Sequence, residues 1–72
     1  MATVTTTWKH VDESHVRTLR EQFDTDREAR ESFNSAIRYY TSCSKAYTLV
    51  DIVCKANGRT FNFFFSNGDM ED

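Results

Sequence analysis

Apolar and polar residues alternate on both sides of the Asn57-Gly58 pair in the C-terminal part of the chain. Asn and Gly readily adopt the positive φ angles that a two-residue type I′ turn requires, so this pattern predicts a β-hairpin. The turn also fixes the strand register, because a shift by one residue would move every side chain to the opposite face. One face then carries the opposed pairs Cys54 and Phe61, Ile52 and Phe63, and Val50 and Phe65, while Ala56 faces Arg59.

The other face of the hairpin mixes apolar and polar side chains and is the candidate functional surface. It is too apolar to be fully solvated, and exposed apolar patches tend to mark interaction sites. The free edge of the hairpin could also accept a strand from another chain. The alternative that the N-terminal strand or a helix covers this face stays open. The predicted protein-binding residues are Tyr47, Leu49, Asp51, Val53, Lys55 and Phe64, with Asp51 and Lys55 setting register or specificity.

The segment from Thr3 to Val11 is rich in threonine and also carries Val and Trp. β-Branched and aromatic residues favour extended structure, so this segment is predicted as a strand. It can supply the third strand that a hairpin needs to be stable in water. Its alternate residues Val4, Thr6, Trp8 and His10 are expected to share one face.

The stretch between this strand and the hairpin has helical patterning in two parts. In the first part, Asp12 is a favourable N-cap, and Val11 and Val16 have the spacing of a hydrophobic staple. An apolar stripe follows at Val16, Leu19 and Phe23. We therefore expect a first helix that begins at Asp12.

A second helix start is indicated by Thr25 and Glu28, whose spacing matches a capping box. The polar run from Thr41 to Ser44 is the expected end of this helix. Its apolar stripe consists of Ala29, Phe33, Ala36, Ile37 and Tyr40.

These elements predict an α+β fold in the order β-α-α-β-β. The N-terminal strand and the C-terminal hairpin form a small antiparallel sheet, and two helices cover one face of it. The apolar spacing also runs unbroken through both helices, so one long helix from Asp12 to about Ser42, in the order β-α-β-β, is an alternative. The capping box favours a break near Asp24. A single domain spans 1–72, and the acidic residues 67–72 are expected to form a disordered tail.

The composition limits the range of partners. The chain has 72 residues, six of them Phe, and a formal net charge of -2. This charge gives no general attraction to nucleic acid or to anionic membranes. No apolar run approaches the roughly 20 residues of a membrane span, and the N-terminus lacks a secretory signal. We therefore expect a cytoplasmic protein that does not bind membranes, and self-association would be a common remedy for so small a core.

No spacing of reactive residues predicts catalysis or metal binding. The conventional soft-metal ligands His10, His15, Cys43 and Cys54 do not have zinc-site spacing. A nucleophile needs a base and an orienting third group, and the sequence implies neither. We expect no enzymatic activity, no cofactor and no metal.

The resulting hypothesis is a small non-enzymatic protein-binding module that acts through the outer face and edge of its hairpin. Homodimerisation through the same surface is a variant of this hypothesis. Its small size and lack of motifs are typical of phage and mobile-element accessory proteins that inhibit or modulate a host protein. One alternative is a nucleic-acid-binding accessory protein that uses the predicted helix residues Arg17, Arg20 and Arg27 on phosphates. Another is a structural subunit of a larger assembly.

Overall fold

One α-helix packs against one face of a four-stranded antiparallel sheet in the computed structural model, which describes residues 2–66. The strand order across the sheet is β2-β1-β3-β4. The predicted α+β class is therefore confirmed. The elements are β1 (Ala2–His10), β2 (Arg17–Phe23), α1 (Asp26–Ser42), a 3-10 turn (Ser44–Ala46), β3 (Tyr47–Ala56) and β4 (Arg59–Ser66).

The predicted hairpin is confirmed as β3 and β4. Asn57 and Gly58 have φ angles of 53° and 74°, both in the left-handed region that a type I′ turn requires. All four predicted opposed pairs are present, from Ala56 opposite Arg59 to Val50 opposite Phe65. The local turn chemistry thus determines the register of half the sheet.

The core lies between α1 and the side of the sheet that we call the helix face. Val4 on β1 and the alternate residues Val50, Ile52 and Cys54 on β3 are almost completely buried there. The Phe61, Phe63 and Phe65 side chains pack against the same core from β4, as predicted. Because side chains alternate along β3 and β4, one face of the hairpin packs in the core and the opposite face carries a different set of residues.

Helix α1 begins and ends where the capping signals indicate. The hydroxyl oxygen of Thr25 accepts a hydrogen bond from the backbone N–H of Glu28 at 3.2 Å, and the helix starts at Asp26. Its predicted apolar stripe faces the sheet, with Ala29 and Phe33 buried and the remaining members packed against the core. The predicted start of this helix after Thr25 is therefore confirmed.

The predicted first helix is wrong, because its residues form strand β2. This strand pairs antiparallel with β1, from Ala2 opposite Phe23 to Trp8 opposite Arg17. Asp12 lies in the connection between these strands, and the expected staple partners Val11 and Val16 are 48% and 50% exposed. The order is β-β-α-β-β, and the alternative order with one helix fits better than the order with two.

The spacing of the apolar residues explains this error. Leu19 and Phe23 are four positions apart, which places them on one side of a helix and also on one side of a strand. A strand here gives the second edge of β1 a hydrogen-bonding partner, since β3 occupies only the first edge. Pairing with the rest of the sheet therefore overrides a local pattern that fits both structures.

Two further predictions concern the acidic C-terminal segment and membrane-spanning helices. The acidic segment 67–72 lies outside the described residues. Within residues 2–66, no helix is long and apolar enough to cross a membrane.

Candidate protein-binding surface

The side of the sheet opposite α1, which we call the outer face, is the candidate site. The part of the chain that the structure describes has a single α-helix, and this helix packs on the helix face, mainly over β3 and β1. The strand registers place polar residues, many of them threonines, across most of the outer face. Its members are Thr3, Thr5, Thr7, Lys9, Thr18, Arg20, Gln22, Leu49, Asp51, Val53, Lys55, Thr60, Asn62, Phe64 and Ser66.

An apolar patch interrupts this polar surface on β3 and β4. Phe64 lies opposite Asp51, and Leu49 and Val53 flank Asp51 at two residues on either side. Diagonal neighbours of this kind on one sheet face are close enough for an aromatic side chain to touch both. The Phe64 side chain is 57% exposed, and Leu49 and Val53 are half-buried. We call Leu49, Val53 and Phe64 the outer patch.

Asp51, at the centre of this patch, is held by a neighbouring amide. The Asn62 Nδ2 donates to Asp51 Oδ1 at 2.7 Å and to the carbonyl oxygen of Ile52 at 3.0 Å. These bonds run from β4 to β3 and fix both polar side chains against the sheet. The exposed Phe64 ring therefore lies beside a polar pair of defined geometry. Fixed polar groups beside an apolar surface favour selective binding over non-specific apolar contact.

Positive charge lies beside the outer patch, on β1, on β2 and near the turn end of β3. Lys9 lies opposite Leu49, and Lys55 follows Val53 by two residues on the same face. Arg20 lies on the same face, one strand further away, opposite Thr5. Asp51 is the acidic residue of this face. The outer face consequently has an excess of positive charge, although the whole chain is slightly acidic.

Tyr47 does not belong to the outer face, which corrects the sequence prediction. It is only 8% exposed, and its ring packs edge-on against Tyr40 of α1 at 5.0 Å and His10 at 5.3 Å. Its burial and its hydrogen bond with the side chain of Tyr39 raise the pKa of the Tyr47 hydroxyl. A register shift between Lys9 and His10 breaks the strict alternation of β3 and turns Tyr47 toward the helix.

The other predicted binding residues are brought together. Leu49, Asp51, Val53 and Lys55 occupy alternate positions of β3 on the outer face, and Phe64 adjoins them on β4. The outward orientation predicted for Phe64 is confirmed by its exposure.

The three arginines of the nucleic-acid alternative lie on different surfaces. Arg17 and Arg20 belong to strand β2, not to a helix, and their odd and even positions place them on opposite faces of the sheet. Arg17 is also engaged by Glu13 at 2.9 and 3.0 Å, which raises the pKa of Arg17. Arg27 lies on α1, 3.6 Å from Glu31. These side chains do not form one phosphate-binding surface.

Both cysteines lie in or against the core. Cys54 is fully buried, and this burial raises the pKa of its thiol. The Cys43 thiol donates to the carbonyl oxygen of Tyr39 at 2.9 Å. Over residues 2–66, no group of three or more His, Cys, Asp or Glu side chains is arranged to hold a metal ion.

Sequence reasoning missed the part of the outer face that β1 and β2 supply. The sequence prediction has Arg20 on a helix and does not include Lys9 among the binding residues. Alternation along β2 is weak, because Arg17 and Glu21 share a face with Leu19 and Phe23, so the sequence gives no clear signal for this strand.

Comparison of the chain with models of protein families, with curated proteins and with solved structures found no match. The outer face combines an apolar patch, a hydrogen-bonded acid–amide pair and nearby cations on one side of the sheet.

Proposed function

We propose that this chain is a non-enzymatic protein-binding module that docks a partner protein on its outer face. The contact is centred on Leu49, Val53 and Phe64 on the outer face. The supporting observation is that a 57%-exposed phenylalanine lies among half-buried aliphatic side chains on the uncovered side of the sheet. Burying such a side chain at an interface contributes about 1.5–3 kcal/mol.

The charge of the outer face supports one kind of partner surface. Lys9 and Lys55 adjoin the outer patch, Arg20 lies further away on β2, and Asp51 is already bonded to Asn62. The best-matched partner surface has an apolar centre and an acidic rim, because opposite potentials steer association and exclude wrong partners. Binding would inhibit or modulate the partner by occupying that surface.

Nucleic-acid binding through Arg17, Arg20 and Arg27 is a weaker candidate. These three side chains lie on three different surfaces of the molecule. Two of them, Arg17 and Arg27, already form ion pairs with neighbouring glutamates. A phosphate backbone needs several cations along one path. The geometry therefore favours a protein partner.

Reversing the charge around the patch tests this proposal. Affinity capture from the native host with the wild-type chain identifies the partner, which is then titrated with a Lys9→Glu/Lys55→Glu variant. Because each attraction becomes a repulsion, we expect about tenfold weaker binding at low salt and a smaller difference at high salt.

An equal charge change on the other side of the molecule serves as the control. Arg38 and Lys45 are exposed and lie on α1 and in the 3-10 turn. An Arg38→Glu/Lys45→Glu variant has the same net charge as the test variant and should bind nearly as well as wild type. Equal weakening of binding by both double variants would mean that the outer face is not the contact surface.

A further inference from the structure

We propose that β4 pairs antiparallel with β4 of a second copy of this chain. This pairing joins two four-stranded sheets into one continuous sheet around a twofold axis. It goes beyond the proposed function, because it concerns the backbone edge of β4 and not the outer patch. The outer face of the sheet stays open to the partner protein.

The two edges of the sheet differ in their protection against further strands. Edge strand β2 carries Arg17, Arg20 and Glu21 among its seven residues, and charged side chains discourage pairing. Residues 60–66 of β4 include no charged residue and no proline, and their register with β3 is continuous. Of the two edges, β4 is therefore the one open to another strand.

The turn determines which backbone groups of β4 are available. A two-residue turn makes its flanking residues, Ala56 and Arg59, a hydrogen-bonded pair, and such pairs alternate along antiparallel strands. Phe61, Phe63 and Phe65 consequently bond toward β3. The N–H and C=O groups of the intervening positions, including Asn62 and Phe64, point to the free edge.

The aromatic side chains of β4 complement themselves across such a pairing. Helix α1 packs mainly over β3 and β1, so the Phe63 and Phe65 rings, 5.9 Å apart, are only partly buried at the margin of the core. In any antiparallel register that uses the outward-pointing groups, odd-numbered residues of β4 lie opposite odd-numbered residues of the copy. Phenylalanines then face phenylalanines, and aromatic cross-strand pairs stabilise sheets.

The pattern of β4 favours a second copy over an unrelated strand. An unrelated strand need not carry apolar residues at the positions that face Phe61, Phe63 and Phe65, whereas a second copy carries phenylalanines there. A symmetric pair thus covers the partly buried rings of both copies.

Proline substitution at Asn62 tests this pairing. Pro removes the outward N–H but spares the ladder to β3, so an edge strand tolerates it. Asn62→Ala is the matched control, since it loses the same side-chain bonds to Asp51 and Ile52 but keeps the N–H. Sedimentation velocity over a concentration series should show a dimer for wild type and Asn62→Ala. The dissociation constant of Asn62→Pro should be raised about tenfold or more, because the change acts twice per dimer.

Two results would overturn the pairing. One is a wild-type chain that stays monomeric at the highest concentration, and the other is an Asn62→Pro variant that dimerises as tightly as Asn62→Ala. Should circular dichroism show that Asn62→Pro is unfolded, Thr60→Pro and Thr60→Ala repeat the comparison at the next outward-pointing position.

The outer face and the edge can be tested separately. Leu49→Asp changes the outer patch on the inner strand β3 and should weaken partner binding while leaving the dimer intact. Asn62→Pro and Asn62→Ala both lose the bond to Asp51, so these two variants should bind the partner equally, and only Asn62→Pro should weaken the dimer. If Leu49→Asp loses partner binding but the wild type forms no dimer, the edge pairing alone is refuted. If the wild type forms a dimer but captures no partner, the proposed function alone is refuted.

Discussion

Replacing Ile52 by alanine is expected to lower the free energy of unfolding by about 2–5 kcal/mol. Ile52 is fully buried at the centre of β3, between Thr6 on β1 and Phe63 on β4. The loss combines the transfer free energy of the removed carbons with the cavity that they leave. A 72-residue domain has a total stability of about 4–11 kcal/mol, so this single change removes a large fraction of it.

The adjacent residue Val53 provides the control for this measurement. It is also β-branched and lies on the same strand, but it faces the outer side and is only half-buried. Val53→Ala should cost about 1 kcal/mol or less. Urea denaturation followed by circular dichroism gives both values. Equal shifts of the two midpoints would contradict the assignment of the covered and uncovered faces.

Replacing Phe64 by aspartate is expected to weaken partner binding by about 30-fold or more. This corresponds to the loss of a central aromatic contact worth at least about 2 kcal/mol. The new carboxylate would also face the acidic rim proposed for the partner. Because Phe64 is 57% exposed, the change should have little effect on the stability of the fold. A titration of the captured partner, with circular dichroism of both chains, measures the two effects separately.

Leu19→Asp is the matched control for this prediction. Leu19 is also a large apolar residue on an edge strand, and it is 50% exposed. Its side chain lies on the helix face, because Leu19 is opposite Thr6, which in turn is opposite Ile52. We expect its binding to stay within about threefold of wild type, as for residues outside an interface. A similar loss in both variants would indicate general destabilisation and not a specific contact.

The parts of the fold that the sequence predicts best are those with strong local signals. Asn57 and Gly58 provide the positive φ angles of the turn, and that turn fixes which residues of β4 face inward. Thr25 and Glu28 likewise determine the start of α1 through one side-chain hydrogen bond. In both cases the signal comes from a few neighbouring residues, so it can be read from the local sequence.

Strand β2 could not be predicted in the same way, because its partner is what determines it. Its apolar residues Leu19 and Phe23 fit a helix or a strand equally well. The pairing of β2 with β1 satisfies a whole row of backbone groups, from Ala2 to Trp8, that would otherwise lack partners. This hydrogen bonding exists only in the assembled sheet, so the local sequence of β2 gives little indication of it.

The errors in the predicted site have the same origin. Tyr47 was assigned to the outer face by strict alternation, and the register shift opposite Lys9 and His10 reverses its direction. Lys9 and Arg20 were missed because they join the outer face only once β1 and β2 are placed in one sheet. The hairpin residues Leu49 and Phe64, by contrast, follow from the turn alone. Within the site, the predictions are therefore correct for residues close to the turn and wrong or incomplete for residues far from it.

Site-specific photo-cross-linking tests the central claim, that the outer face is the binding surface, most directly. A benzoylphenylalanine placed at position 64 in the native host should form an adduct with a foreign protein, identified by mass spectrometry. The same group at position 19 lies on the opposite face at similar exposure and should give no such adduct. The same foreign adduct from both positions, or from position 19 alone, would contradict the account.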